Sequence, residues 1–170
     1  YETEEMFTPK DNKWNKKELA WLTIGYNQLV YPFQMLTIYN AIANEGKMVK
    51  PMLYKGETQI INPQIATKEN IDSIQMALTM VVKEGLGKPA GSEKVQVAGA
   101  TGTSHISTIE NESNDKQINE YSVEFCGFFP ADTPKYSIIV SMNKMGLPAS
   151  GGLMAGSIFS EIVDFMMERK

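Results

Sequence analysis

One cysteine (Cys126) and one histidine (His105) stand among 170 residues. A single cysteine excludes an internal disulfide and any cysteine-based metal cluster. With one histidine beside it, the chain has too few ligands for a His/Cys zinc site. The lone thiol leaves the redox compartment open. Positive charge is also short: 16 Lys and Arg against 20 Asp and Glu give a net charge of −4. That is the opposite of the basic stripe that nucleic-acid binding leaves, so no nucleic-acid partner is expected. No apolar run reaches the roughly 18 residues of a membrane span, and Tyr1-Glu-Thr-Glu-Glu5 does not open a signal peptide. The chain does not begin with Met and is expected to be part of a longer protein. What it does contain is globular, with 42% hydrophobic and 21% charged residues. These values are close to the average for a folded domain, and the length suits one domain or a large piece of one.

The first half, residues 1–94, reads as mostly helix and loop. A short helix is expected near 16–22. Pro32 suits a first helical position, where its missing N–H is not needed. Met35, Ile38, Tyr39, Ile42 and Ala43 follow at helical spacing, and Gly46 sits where a left-handed cap would end the helix. Thr67 is a natural N-cap for a second helix, with Glu69 in its first turn. Ile71, Ile74, Leu78, Val81 and Val82 form its apolar face, and Gly85 and Gly87 stop it.

The pattern changes in residues 95–170. Strands are expected near 95–109, 121–130 and 136–144, from β-branched runs and period-two alternation. The polar run Glu110–Glu120 reads as a solvated hairpin loop. Ile158, Phe159, Ile162 and Met166 recur at helical spacing, so a helix over 152–169 should cover the sheet. The fold class is therefore α+β: an antiparallel sheet covered by a C-terminal helix, with further helices beside it. Cys126 reads as a small buried hydrophobe, His105 as structural, and most of the eleven methionines as core filler.

The stretch Val97-Ala-Gly-Ala-Thr-Gly-Thr-Ser104 resembles the VAGKTGT strand of penicillin-binding proteins, the serine acyl-transferases that cross-link peptidoglycan. Other blocks agree in order and spacing. Ile24-Gly-Tyr26, Tyr31-Pro-Phe-Gln-Met35, Ala41-Ile-Ala-Asn-Glu-Gly46 and Lys50-Pro51 resemble "IGYG…TPLQM…AIANGG…KP". Glu84-Gly-Leu-Gly-Lys88 resembles "GTGK", Phe125 to Tyr136 resembles "SFVGFAPADNPKY", and Ser150-Gly-Gly152 resembles "YGG". The likeness runs from about residue 22 to the end. It is strongest to the C-terminal portion of class B transpeptidase domains of the division-specific kind.

That resemblance implies a serine β-lactamase/transpeptidase-like fold with its flanking all-α region, and D-Ala–D-Ala transpeptidation through an acyl-enzyme, without a cofactor or metal. It implies a peptidoglycan stem peptide or a β-lactam as ligand and cell-division proteins as partners. It also implies a parent held in the cell envelope on the outer face of the bacterial cytoplasmic membrane. By position, Thr101, Gly102, Thr103 and Ser104 would bind substrate. The hydroxyls of Thr101 and Thr103 would meet the substrate carboxylate, and the Thr103 N–H would form half of an oxyanion hole.

Two departures stand out. Position 100, where the family has Lys, is Ala. The family's S-x-x-K and S-x-N motifs should precede Ile24, and the 23 residues there contain neither. Ser113-Asn-Asp-Lys116 and Ser141-Met-Asn-Lys144 match by letters alone. Ser113 falls in the polar run, and on a strand an offset of three puts Lys144 on the face opposite Ser141. This chain by itself is expected to be inactive. The alternative is a non-catalytic penicillin-binding-like sensor or scaffold, which Ala100 favours.

Overall fold

The computed structural model describes residues 10, 14–26, 30–111 and 116–169, in two units, 1–31 and 32–170. In the first, Asn15 caps helix α1 (Lys16–Thr23) by accepting from the Lys17 and Glu18 N–H groups at 2.9 and 3.2 Å. Such a side-chain oxygen satisfies donors that the first turn leaves without partners. The helix buries no residue fully.

The second unit begins with α2 (Pro32–Ala43). Its chain reverses at Gly46, whose φ of +91° is open to glycine at no steric cost, and the Gly46 N–H reaches back to the Ala41 carbonyl at 2.8 Å. Two short strands follow, β1 (Met48–Val49) and β2 (Ile60–Asn62), paired antiparallel. Helix α3 (Lys68–Lys83) starts at Thr67, whose hydroxyl accepts from the Asn70 N–H. Gln75 ties α3 to α2 by donating to the Ile42 carbonyl at 2.7 Å.

Strands β3 (Ala98–Asn111), β4 (Lys116–Phe129) and β5 (Tyr136–Met145) form one sheet in sequence order, each pair antiparallel, as expected. Helix α4 (Ser157–Glu168) lies on one face. Phe125 and Phe129 of β4 meet Phe159 of α4 edge-on, with ring centroids 4.7 and 6.1 Å apart. These three rings, with Val163, Ala155, Val97, Ala90 and Val82, make the main core. Ser160 and Asp164 of α4 hydrogen-bond the Gly91 carbonyl and the Ser92 hydroxyl, which anchors the helix in one rotation. On the other face, Ala98 and Phe128 pack with Ala131 under Tyr39, Ile42 and Ala43 of α2 and Leu78 of α3. Leu78 and Val82, one turn apart on α3, thus serve different cores.

Several expectations change. The polar run 110–120 is not all loop: β3 continues to Asn111 and β4 starts at Lys116. Antiparallel pairing needs no apolar side chains, and Thr108 and Ser107 donate across the ladder to Asn119 and Glu120 at 2.9 and 2.8 Å. Regular α-helix begins at Ser157 rather than 152, because Gly151–Gly156 forms a wider π-helical turn. Ile158 is 41% exposed, so α4 docks through Phe159 and Val163, with Met166 at the rim. Ile38 and Ile74 are also exposed, while Ala41, outside the apparent stripe of α2, is fully buried. Methionine does not fill the core: no described Met is fully buried, and Met166 and Met167 only border it.

Candidate active-site wall

Strand β3 is an edge strand, paired only with β4 among the described residues. Directly opposed residues in an antiparallel pair share a face, and neighbours along a strand alternate. The register Ala98↔Phe128, Ala100↔Cys126, Gly102↔Glu124 and Ser104↔Ser122 therefore sets Ala98, Ala100, Gly102 and Ser104 on the α2 side of the sheet. Thr101 and Thr103 stand on the α4 side. The five positions picked from sequence, 100–104, thus lie on one edge strand but divide between its two faces.

The threonines meet the turn that opens α4. Ser150 caps that turn by accepting from the Leu153 N–H at 3.2 Å. The Gly151 N–H donates to the Thr103 hydroxyl oxygen at 2.9 Å. The hydroxyl keeps its own proton to donate. Gly151 lies so close to the sheet that a Cβ there would collide with the carbonyl oxygens of Gly102 and Glu124. A Cβ on Gly152 would strike the Leu86 carbonyl and stand 3.3 Å from the Thr101 methyl. The two glycines permit this close approach, and the Gly151 N–H orients the Thr103 hydroxyl. Strand, turn and the loop after α3 thereby pack into one wall.

On the opposite face, Cys126 is buried, and burial, aided by the charge of Glu124, pushes its thiol up to about 12. A thiol held neutral in this way is no nucleophile. Tyr39, beneath the same face, is also pushed up to about 12, by burial first and then by Cys126. His105 packs edge-on against Tyr121 with centroids 5.7 Å apart, and its Nε2 lies 3.2 Å from the Thr108 hydroxyl. No carboxylate hydrogen-bonds it among the described residues, so nothing orients it as a base. Ser141 donates to Glu124 at 2.9 Å, and Lys144 sits on the other face of β5, turned to the Met145 carbonyl. Ser113 lies outside the described residues. A cavity of about 500 Å³ lies between α2 and residues 49–56, with Ser137 in its lining and none of positions 100–104.

Sequence reasoning did not single out Glu124, which faces Gly102 across the ladder. Its signal was the alternation of β4, but alternation alone does not tell which β3 residue it opposes.

This arrangement, a three-stranded antiparallel sheet with a C-terminal helix on one face and helices on the other, superposes on parts of solved transpeptidase domains. The transpeptidase domain of Burkholderia pseudomallei penicillin-binding protein 3 superposes with a TM-score of 0.76 at 24% identity, over 92% of this chain and 47% of that one. The transpeptidase domain of FtsI4 D,D-transpeptidase from Legionella pneumophila gives 0.70 at 25% identity, over 98% and 56%.

The family model for the penicillin binding protein transpeptidase domain matches residues 2–164, and the chain belongs to that family. Penicillin-binding protein PbpB of Mycolicibacterium smegmatis is 27% identical over 95% of this chain and 28% of its own length. Stage V sporulation protein D of Bacillus subtilis is 29% identical over 86% of this chain and 24% of its own. Peptidoglycan D,D-transpeptidase FtsI of Escherichia coli is 21% identical over 94% and 26%. The chain spans about a quarter of the length of these curated relatives. It is a partial transpeptidase domain.

Proposed function

We propose that this chain supplies one wall of a peptidoglycan D,D-transpeptidase site in a longer parent protein, and that it has no transpeptidase activity alone. The observation that carries the reading is the edge strand β3, with the Thr103 hydroxyl held by the Gly151 N–H. An edge strand offers unpaired backbone groups to an extended ligand. A D-Ala–D-Ala stem peptide, or a β-lactam that mimics it, would lie along this edge. The Thr103 hydroxyl, held by Gly151, would donate to the ligand, with Thr101 on the same face and Ser104 on the other. The Thr103 N–H would hold the oxyanion that forms when a serine attacks, lowering the barrier where the charge develops. The attacking serine belongs to the parent: among the described residues no helix carries a Ser with a Lys one turn on. Relatives named peptidoglycan D,D-transpeptidase support this chemistry for the parent. The parent would act in the cell envelope, anchored on the outer face of the cytoplasmic membrane, with cell-division proteins as partners. No described helix of this chain is long and apolar enough to cross a membrane.

Intact-mass spectrometry after incubation with benzylpenicillin tests this reading. The parent should gain one penicilloyl group on a serine outside these residues, and the 170-residue chain none. An adduct on the chain itself, or none on the parent, would overturn it. Ala100 favours a second reading, a non-catalytic sensor or scaffold, because the family cation is missing there. An S-x-x-K serine in the parent that penicillin acylates decides against a scaffold.

A further inference from the structure

His105 shares the face of β3 that carries Thr101 and Thr103. It stands two positions past Thr103, about 6.7 Å further along the strand. Thr103 and His105 are both exposed. The ring packs edge-on against Tyr121, its partner across the ladder. Side-chain hydrogen bonds fix which of its nitrogens is engaged. Asn119 donates its amide to the Tyr121 hydroxyl at 3.5 Å, which turns its Oδ1 to Thr108. Thr108 gives its only hydroxyl proton to that oxygen at 2.9 Å, so its own oxygen accepts from the His105 Nε2–H at 3.2 Å. Among the described residues nothing hydrogen-bonds Nδ1, the ring's other nitrogen. Near His105 on this face stand Tyr121 of β4 and, opposite Tyr121 on β5, Lys144, which is turned to the Met145 carbonyl. Glu110 follows two positions beyond Thr108 on β3. Glu120 lies on the opposite face, bonded by Ser107 and Asn143.

We propose that His105 is a further specificity residue of this wall, its imidazolium pairing with a carboxylate on the acyl part of the ligand, the part an attacking serine would retain. The inference rests on β3 being the substrate wall and deepens that reading. There the ligand's terminal carboxylate meets the Thr101 and Thr103 hydroxyls, and the carbonyl under attack meets the Thr103 N–H. An extended ligand whose C-terminal end lies at residue 101 runs on past 103 toward 105. A carboxylate one to two residues upstream of that carbonyl, at about 3.3 Å per residue, comes level with His105. In the protonated ring Nδ1–H donates to it, and charge on both partners makes such a bond about twice as strong as a neutral one. In the neutral ring Nδ1 offers only a lone pair, and the pairing is lost. Histidine side chains change charge between about pH 5 and 8. The preference for an anionic acyl group is therefore present at low pH and fades as pH rises.

The test is performed on the parent protein, with carbenicillin and benzylpenicillin as probes. They share the ring carboxylate and differ by a carboxylate on the acyl side chain. Second-order acylation constants are measured from about pH 6 to 8.5 for the unaltered protein, H105Q and H105K. The quantity compared is the ratio of carbenicillin to benzylpenicillin, which cancels titration of the attacking machinery and any loss of folded protein. In the unaltered protein the ratio should fall about two- to fivefold as pH rises, the size of an exposed ion pair. H105Q should hold it at the low value at every pH and H105K at the high one, and added salt should shrink the difference. A ratio that is flat in pH for the unaltered protein, or that keeps the same profile in H105Q, would overturn the proposal. If neither penicillin acylates any form, the transpeptidase reading has failed, and the pairing is read without chemistry. N-succinyl-D-Ala-D-Ala and N-acetyl-D-Ala-D-Ala are titrated into the parent, and NMR follows the imidazole signal that H105Q removes. The succinyl ligand must move the titration of that signal to higher pH and the acetyl ligand must not. Any other result overturns the inference independently.

Discussion

The two faces of the sheet are built from the same three strands and solve different problems. The face under α4 is aromatic: Phe125 and Phe129 are fully buried, and both meet the fully buried Phe159 of α4. The opposite face is buried only at the Ala98 and Phe128 end, under α2 and α3. Further along it carries Ser104 and two hydrogen-bonded groups, Ser122 and Ser141 on Glu124 and Asn143 on Glu120. Burial of apolar area makes the first face the source of stability. On the second face the carboxylates of Glu124 and Glu120 are held by side-chain hydrogen bonds rather than by apolar packing. Ala100 and Glu124 both lie on this second face, while the threonines that would hold a ligand lie on the first. The edge strand β3 is where the two meet.

The contrast breaks most sharply at Phe125. Replacing it with Ala should cost about 3–5 kcal/mol in urea unfolding, because it removes a ring between β4 and α4 that has little room to collapse. A loss under about 1 kcal/mol would mean the two faces contribute alike.

Alkaline pH probes the other face. The thiol of Cys126 is raised from 9.0 and the phenol of Tyr39 from 10.0, both to about 12. Each group keeps its proton to higher pH in the folded chain than in the unfolded one. Their contribution is complete below about pH 9, falls from there, and is lost by about 12. Unfolding free energy should decline across that window by up to about 1.4 kcal/mol per pH unit per group. Cys126→Ala should remove the part that begins near 9 and leave the part that begins near 10. A flat profile from 9 to 11 would show that this face is wetter than its packing indicates.

Ser141→Ala gives the smallest effect. It deletes one of two hydroxyls that donate to Glu124. A partly exposed carboxylate can replace that bond with water, so the loss should be about 0.5–1 kcal/mol. A loss as large as that of Phe125→Ala would move the polar face into the stability core and erase the contrast.

The elements themselves were legible because their signals are local. Pro32, Thr67 and Gly46 mark helix ends by backbone chemistry that acts within one turn, and alternation marks β4 and β5 within a few residues. Other readings failed where a distant partner decides. Ile158 and Ala41 carry no sign of which helix face will be covered. Glu110 to Glu120 looked like a loop because the run is polar, yet backbone pairing extended both strands into it. Methionines sat at the rim because the centre was already filled by aromatic rings.

The sequence by itself determined the family, through short blocks such as Val97–Ser104. Tertiary structure alone decided that Gly151 braces Thr103 and that Glu124 faces Gly102. Each joins residues 20 or more positions apart, through chain packing in the first case and strand register in the second, which no local pattern encodes.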